Sequence, residues 1–162
     1  MRRLALAVAL LPGVADACPM TLALYADTAT GAELRFRAGQ PWELGGMTSH
    51  VMELALPDGR VLWGMITSNM GTSRDEGHLF SGCNRPGPDD APLDEAQIAE
   101  CRVWNGVVYA LQDGTVSPLP FEAEKAPESL ILSDLGRQLR YAVMEGPGDE
   151  PWDQFRLSGC AE

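Results

Sequence analysis

The chain has 162 residues, with 12 Lys and Arg against 23 Asp and Glu, and four cysteines. A length of this order suits one ordinary domain or two very small ones. A negative balance excludes a phosphate backbone or an anionic lipid surface as the natural partner, because both require a positive face.

The N-terminus reads as a secretory signal over residues 1–17. Arg2 and Arg3 give a positive start, Leu4 to Leu11 is an unbroken apolar run, and Ala15-Asp16-Ala17 is a small-x-small cleavage site. The run is far short of the roughly 20 apolar residues that cross a bilayer, so export rather than anchoring is expected. A lipid anchor on Cys18 is a weaker reading, since Ala15 stands where such signals usually carry Leu. Cleavage after Ala17 leaves 145 residues (162 less 17), with 10 basic and 22 acidic side chains, because Arg2, Arg3 and Asp16 are lost. The resulting charge of −12 suits solubility, and its sharper reading is a face for a cationic partner. A periplasmic or secreted location follows.

The rest of the chain alternates short strands with turns. Thr21 to Ala26 and Glu33 to Arg37 are expected strands around Thr30-Gly31. His50 to Leu56 and Val61 to Thr67 flank Pro57-Asp58-Gly59, which is good hairpin chemistry. Leu79 to Gly82 is a further short strand. The Pro-, Gly- and Asp-rich stretch from Asn84 to Asp90 reads as a linker, and Pro92 starts a short helix to about Glu100. Arg102 to Trp104 and Val107 to Leu111 flank Asn105-Gly106, a favoured two-residue turn, and Asp113-Gly114 marks the next turn. Leu130 to Leu132, Gln138 to Met144 and Phe155 to Ser158 complete the strands. The expected fold is all-β: a small disulfide-stapled barrel or sandwich, with one short helix in the linker.

The chain also matches itself. Sliding it by 77 residues sets Gly59–Cys83 on Gly136–Cys160 with 7 identities in 25 positions, ending in Ser-Gly-Cys both times. Ordinary residue usage gives on the order of two. Two sequence-related β halves, 18–83 and 101–162, joined by a linker over 84–100, are therefore expected. Four cysteines in an exported chain favour two disulfides and permit three pairings of Cys18, Cys83, Cys101 and Cys160. If each half descends from a free-standing unit, Cys18–Cys83 and Cys101–Cys160 are expected. The rival is Cys83–Cys101 across the linker with Cys18–Cys160 joining the ends.

Few motifs carry chemistry. No GxSxG elbow, phosphate loop or dinucleotide fingerprint occurs, and His50 and His78 are the two histidines. The carboxylates Glu43, Glu53, Asp75, Glu76, Asp153 and Glu162 single out no pair. Trp42, Trp63, Trp104 and Trp152 offer either stacking surfaces or core filling. The remaining constellation is methionine with histidine: Met47, His50 and Met52, followed by Met65, Met70 and His78. Thioether and imidazole ligands suit copper(I), and alternation puts His50 and Met52 on one face of a strand.

Two short stretches resemble known families. Ala38-Gly39, then Glu43-Leu44-Gly45-Gly46, then His50-Val51-Met52 resembles the His-x-Met segment of periplasmic copper(I) chaperones over about fifteen residues. That resemblance implies copper held by Met47, His50 and Met52, although Thr28 stands where the family has a further ligand. Leu56-Pro57-Asp58-Gly59-Arg60, then Ser68 and Gly71, then a late cysteine is similar to small periplasmic lysozyme-inhibitor barrels, whose usual targets are cationic. The aromatic segment of that family is missing here. The sequence therefore points first to an exported, non-enzymatic binding or inhibitory module with a protein or small-molecule ligand and no cofactor. A copper(I)-binding protein comes second and a small secreted hydrolase third.

Overall fold

A computed structural model describes residues 18–68, 74–144 and 148–162. The expected signal segment, Met70 and Gly71 lie outside the described residues. Among those described, the chain forms nine strands and two α-helices. The strands are β1 (Ala23–Ala26), β2 (Glu33–Arg37), β3 (Thr48–Ala55), β4 (Val61–Thr67), β5 (Glu76–Phe80), β6 (Arg102–Gln112), β7 (Thr115–Ser117), β8 (Ser129–Leu132) and β9 (Gln154–Cys160). The helices are α1 (Glu95–Cys101) and α2 (Leu135–Ala142).

Strands β1 to β5 form an antiparallel meander, and β6, β8 and β9 carry the sheet back to β1. Pairing of β5 with β6 closes it into an eight-stranded antiparallel barrel, as the all-β reading expects. β7 extends the edge of β6 beyond β5. Alternation along each strand decides what enters the barrel. Leu34 and Phe36 of β2, Met52 and Leu54 of β3, and Leu62 and Ile66 of β4 point inward and are buried. Tyr25, Trp104, Leu130 and Phe155 fill the remaining volume. The lumen is thus a packed core.

Each end is sealed differently. At one end α2 lays Leu135 and Leu139 into the core. Its N-terminus is held by Asp153, which accepts from the backbone N–H of Asp134 (2.8 Å) and of Gly136 (3.2 Å). This remote carboxylate does the work of a capping side chain. At the other end, a 3-10 turn at Met20–Leu22 and the segment after β7 cross the opening. There Pro120 O accepts from His50 Nε2 at 2.9 Å, and the Ser49 hydroxyl lies 2.9 Å from Nδ1. A carbonyl only accepts, so Nε2 carries the proton and Nδ1 is left as an acceptor, which shares the Ser49 hydroxyl with Ile66 O at 3.2 Å.

Three expectations are corrected. Asn105-Gly106 is no turn: β6 runs through it. Gly106 is there for close approach, since a Cβ would stand 2.4 Å from Ser133 O and 2.8 Å from the Trp104 ring. Gln138 to Met144 belongs to α2 and its end, not to a strand. Leu135 and Leu139 are buried while Tyr141 is 78 % exposed, whereas a strand would set Leu139 and Tyr141 on one face. The disulfides are Cys18–Cys160 and Cys83–Cys101, with Cα separations of 5.7 and 5.8 Å, so the within-half pairing is wrong. The aligned segments also differ in conformation: β4 is set on α2, and the Gly59 turn on the helical Gly136. Neither disulfide stays within a half.

Non-reduced peptide mapping is expected to return a Cys83–Cys101 peptide. Replacing that pair by serines removes an 18-residue closure, and the loop-entropy model puts the loss at about 3 kcal/mol in chemical denaturation. Leu139→Ala, which opens a hole where α2 plugs the barrel, should cost about 2–5 kcal/mol by the same measurement. Burial pushes the His50 imidazole below its ordinary 6.5, outweighing the opposing pull of Pro120 O, Glu122 and Asp75; burial does the same to His78. Below about pH 6.5 the unfolded chain therefore binds more protons than the folded one. The resulting stability is present above that pH and lost as pH falls through the folded values. The denaturation midpoint should drop between pH 7 and 5, and His50→Asn should make the slope shallower; a flat profile refutes the assignment.

Candidate functional site

The lumen is filled, and among the described residues a space that a ligand can enter lies outside the barrel, over the outward face of β3 and β4. There the side chains of Thr48, Val51, Trp63 and Met65 form a floor. Gly64 lies between them. A Cβ on Gly64 would come 2.4 Å from His78 O and 2.8 Å from Leu79 Cδ2, so glycine lets β4 and β5 pack tightly here. Trp63 is fixed on three sides. Its Nε1–H donates to Cys83 O at 2.9 Å, its ring stacks on Phe80 with centroids 4.3 Å apart, and Arg85 Cζ lies 5.8 Å from its centre.

Two connections rise as walls. The first joins β2 to β3 and presents Trp42 and Glu43. Glu43 is held by a two-pronged contact from Arg37, at 2.8 Å from Nη1 and 2.5 Å from Nη2, and by the Gln40 N–H at 2.9 Å. The Arg37 fork, opposed by burial and aided by Gln40 and the Arg85 charge, holds the Glu43 carboxyl below its ordinary range. The second wall is the long excursion between β5 and β6, residues 81–101, pinned at its base by Cys83–Cys101. It ends in α1, which carries a capping box: Gln97 N–H donates to Asp94 Oδ1 (2.8 Å), and Gln97 Oε1 accepts from Asp94 N–H (3.0 Å). This seats Leu93 and Ile98 against the space.

Arg85 ties the walls to the floor. Its Nη2 reaches Glu53 Oε1 at 3.1 Å, and its buried Nε stands 3.7 Å from Glu43 Oε1 without a hydrogen bond among the described residues. The pocket so enclosed has a volume of about 430 Å³, within the range of small-ligand sites, and its lining is mostly apolar. Trp42, at 47 % exposure, stands at its lip.

The sequence-derived candidates are distributed unevenly around this pocket. His50 and Met52 share the inward face of β3, as alternation requires, but both are buried in the core. Met47 is 55 % exposed at the head of the strand. Both His50 nitrogens already have partners, so a metal ion bound there would displace one of them. Met65 lines the pocket and takes the Thr48 hydroxyl at 3.7 Å. His78, its cross-strand partner on β5, faces outward and takes Asn105 Nδ2 on Nδ1 at 3.0 Å. Among the described residues, no three His, Cys, Asp or Glu side chains group as a metal site.

The carboxylates have structural duties. Asp75 accepts from Leu119 N–H, Asp153 caps α2, Glu53 pairs with Arg85, and Glu76 takes Asn105 Nδ2. Of the tryptophans, Trp42 and Trp63 belong to the pocket, Trp104 to the core, and Trp152 is 70 % exposed elsewhere. Sequence reading missed Arg85, Leu93 and Ile98. The local signal was Asp94-x-x-Gln97, which fixes where α1 begins and so which residues it turns inward. The described lining carries two carboxylates: Glu43, paired with arginines, and Asp90, which accepts from the Gly87 N–H. No protein family, curated protein or solved structure that was compared matches this chain.

Proposed function

We propose that the protein is an exported, non-enzymatic binding module of the periplasm or extracellular space, and that its ligand site is the pocket between the β2–β3 connection and the β5–β6 excursion. The observation that carries this reading is the pocket itself: about 430 Å³ of mostly apolar space held open on a sealed barrel. Apolar surface left uncovered is costly in water, at roughly 25 cal/mol per Å², and two walls braced by a disulfide and ion pairs keep it from collapsing. The two disulfides and the N-terminal signal-like sequence support an oxidising compartment. A copper(I) site at Met47, His50 and Met52 is the weaker reading, because the His50 nitrogens are already engaged.

The uncharged dye Nile red is expected to bind the protein with one site and a blue-shifted emission. Leu93→Asp, which puts a charge in the wall at a half-buried position outside any strand, should lower that affinity at least tenfold with an unchanged circular dichroism spectrum. Equal dye binding by the variant would place the dye elsewhere and remove the pocket as the site.

A further inference from the structure

The charges around the pocket select what can enter it. Arg85, its one lining cation among the described residues, is shared between Glu53 and Glu43 and lies against the Trp63 ring. Glu43 is in turn occupied by Arg37. The charges of both groups are thus already offset by neighbours, although Arg85 Nε makes no hydrogen bond among the described residues. Asp90 is different. It lines the pocket from the excursion and is exposed, and only its Oδ2 is used, accepting the Gly87 N–H at 2.7 Å. The described residues give Oδ1 no hydrogen bond. Together Arg37, Arg85, Glu43, Glu53 and Asp90 carry a formal charge of −1, in a chain whose overall charge is −11. The exposed ring of Trp42 adds a π-face at the lip, where an organic cation is attracted and an anion is not.

We infer that the pocket takes a small organic cation with an apolar body: an aryl- or alkylammonium whose hydrocarbon part lies on Val51, Trp63 and Met65, and whose charged nitrogen sits at the rim between Asp90 Oδ1 and the Trp42 ring. This rests on the pocket being the ligand site. It goes further by fixing the sign of the ligand's charge and the end at which that charge sits. An anionic amphiphile of the same size would meet the negative rim, and the charge of Arg85 is already offset by Glu53 and Glu43. A neutral one would gain the apolar contacts alone.

Three probes of one shape separate these cases: 4-phenylbutylamine, 4-phenylbutanol and 4-phenylbutanoate, titrated into the intact protein at low salt by calorimetry or ligand-observed NMR. The amine should bind at least fivefold more tightly than the alcohol, and the carboxylate more weakly than either. Raising salt to about 0.5 M should weaken the amine alone, since exposed charges are screened within a few ångströms there. Asp90→Asn keeps an oxygen for the Gly87 N–H, so the loop should hold; it should bring the amine's affinity down to that of the alcohol and leave the alcohol unchanged. Trp42→Leu should also weaken the amine more than the alcohol. An alcohol or carboxylate that binds wild type as tightly as the amine overturns the inference, as does an Asp90→Asn protein that binds the amine undiminished. Both results leave the pocket itself standing. If none of the three binds, or if the alcohol binds Leu93→Asp as well as wild type, the ligand site itself has been misassigned.

Discussion

The pairing of β5 with β6 governs the rest of the molecule. It runs from Glu76–Val107 to Phe80–Arg102 and removes the open edges that a meander would otherwise present. Once the sheet is closed at eight strands, its interior is just wide enough for side chains, and Tyr25, Trp104 and Phe155 occupy it. The same pairing makes the chain between these neighbouring strands leave and return at nearly one place. A hairpin would do this in a few residues. Here residues 81–101 intervene, and with both ends fixed they can only fold out over the barrel wall. The pocket is what they enclose.

What holds that excursion in place is distributed. Cys83–Cys101 fixes its base, the Trp63 indole N–H takes the Cys83 carbonyl, and Arg85 reaches Glu53 on β3 and Glu43 on the facing connection. Exposed ion pairs contribute little, but Glu43 is 9 % exposed at its side chain and makes a forked contact with Arg37. The chain Arg37–Glu43–Arg85–Glu53 therefore couples both walls to the strands beneath. The apolar part of the excursion, Leu93 and Ile98, needs that coupling to stay facing inward.

Much of the barrel could be read from alternation. Leu34 and Phe36, Leu54 and Leu56, and Leu62 and Ile66 repeat every two residues or multiples of two, and Pro57-Asp58-Gly59 marks the turn between β3 and β4, where Gly59 adopts φ 88°. Two places misled. Leu139, Tyr141 and Val143 also alternate, yet they lie at the end of a helix whose cap comes from Asp153, which no local window contains. Asn105-Gly106 has hairpin chemistry, but its glycine answers to the Ser133 carbonyl across the sheet. Residues shared by the two matched segments serve different ends: Arg60 pairs with Asp58 beside a turn, while Arg137 pairs with Asp134 on a helix. The pocket was half legible. Trp42 and Trp63 stand out as aromatics, but nothing in the sequence says that Arg85 and Ile98 will reach them, because that depends on how strands distant in sequence are ordered around the barrel.

The Cys18–Cys160 bond has a topological result. It joins residues 142 positions apart, so the folded domain is covalently a ring. A protease that cuts any one exposed turn, such as Asp113-Gly114, opens the ring into a line and releases no fragment. Cys83–Cys101 draws a smaller ring within it, so even a cut in the excursion leaves the pocket wall tethered on both sides. Two cuts are needed before any piece can leave, and one cut inside the excursion paired with one outside it still frees nothing. Such a molecule stays in one piece after a single nick wherever thiols stay oxidised.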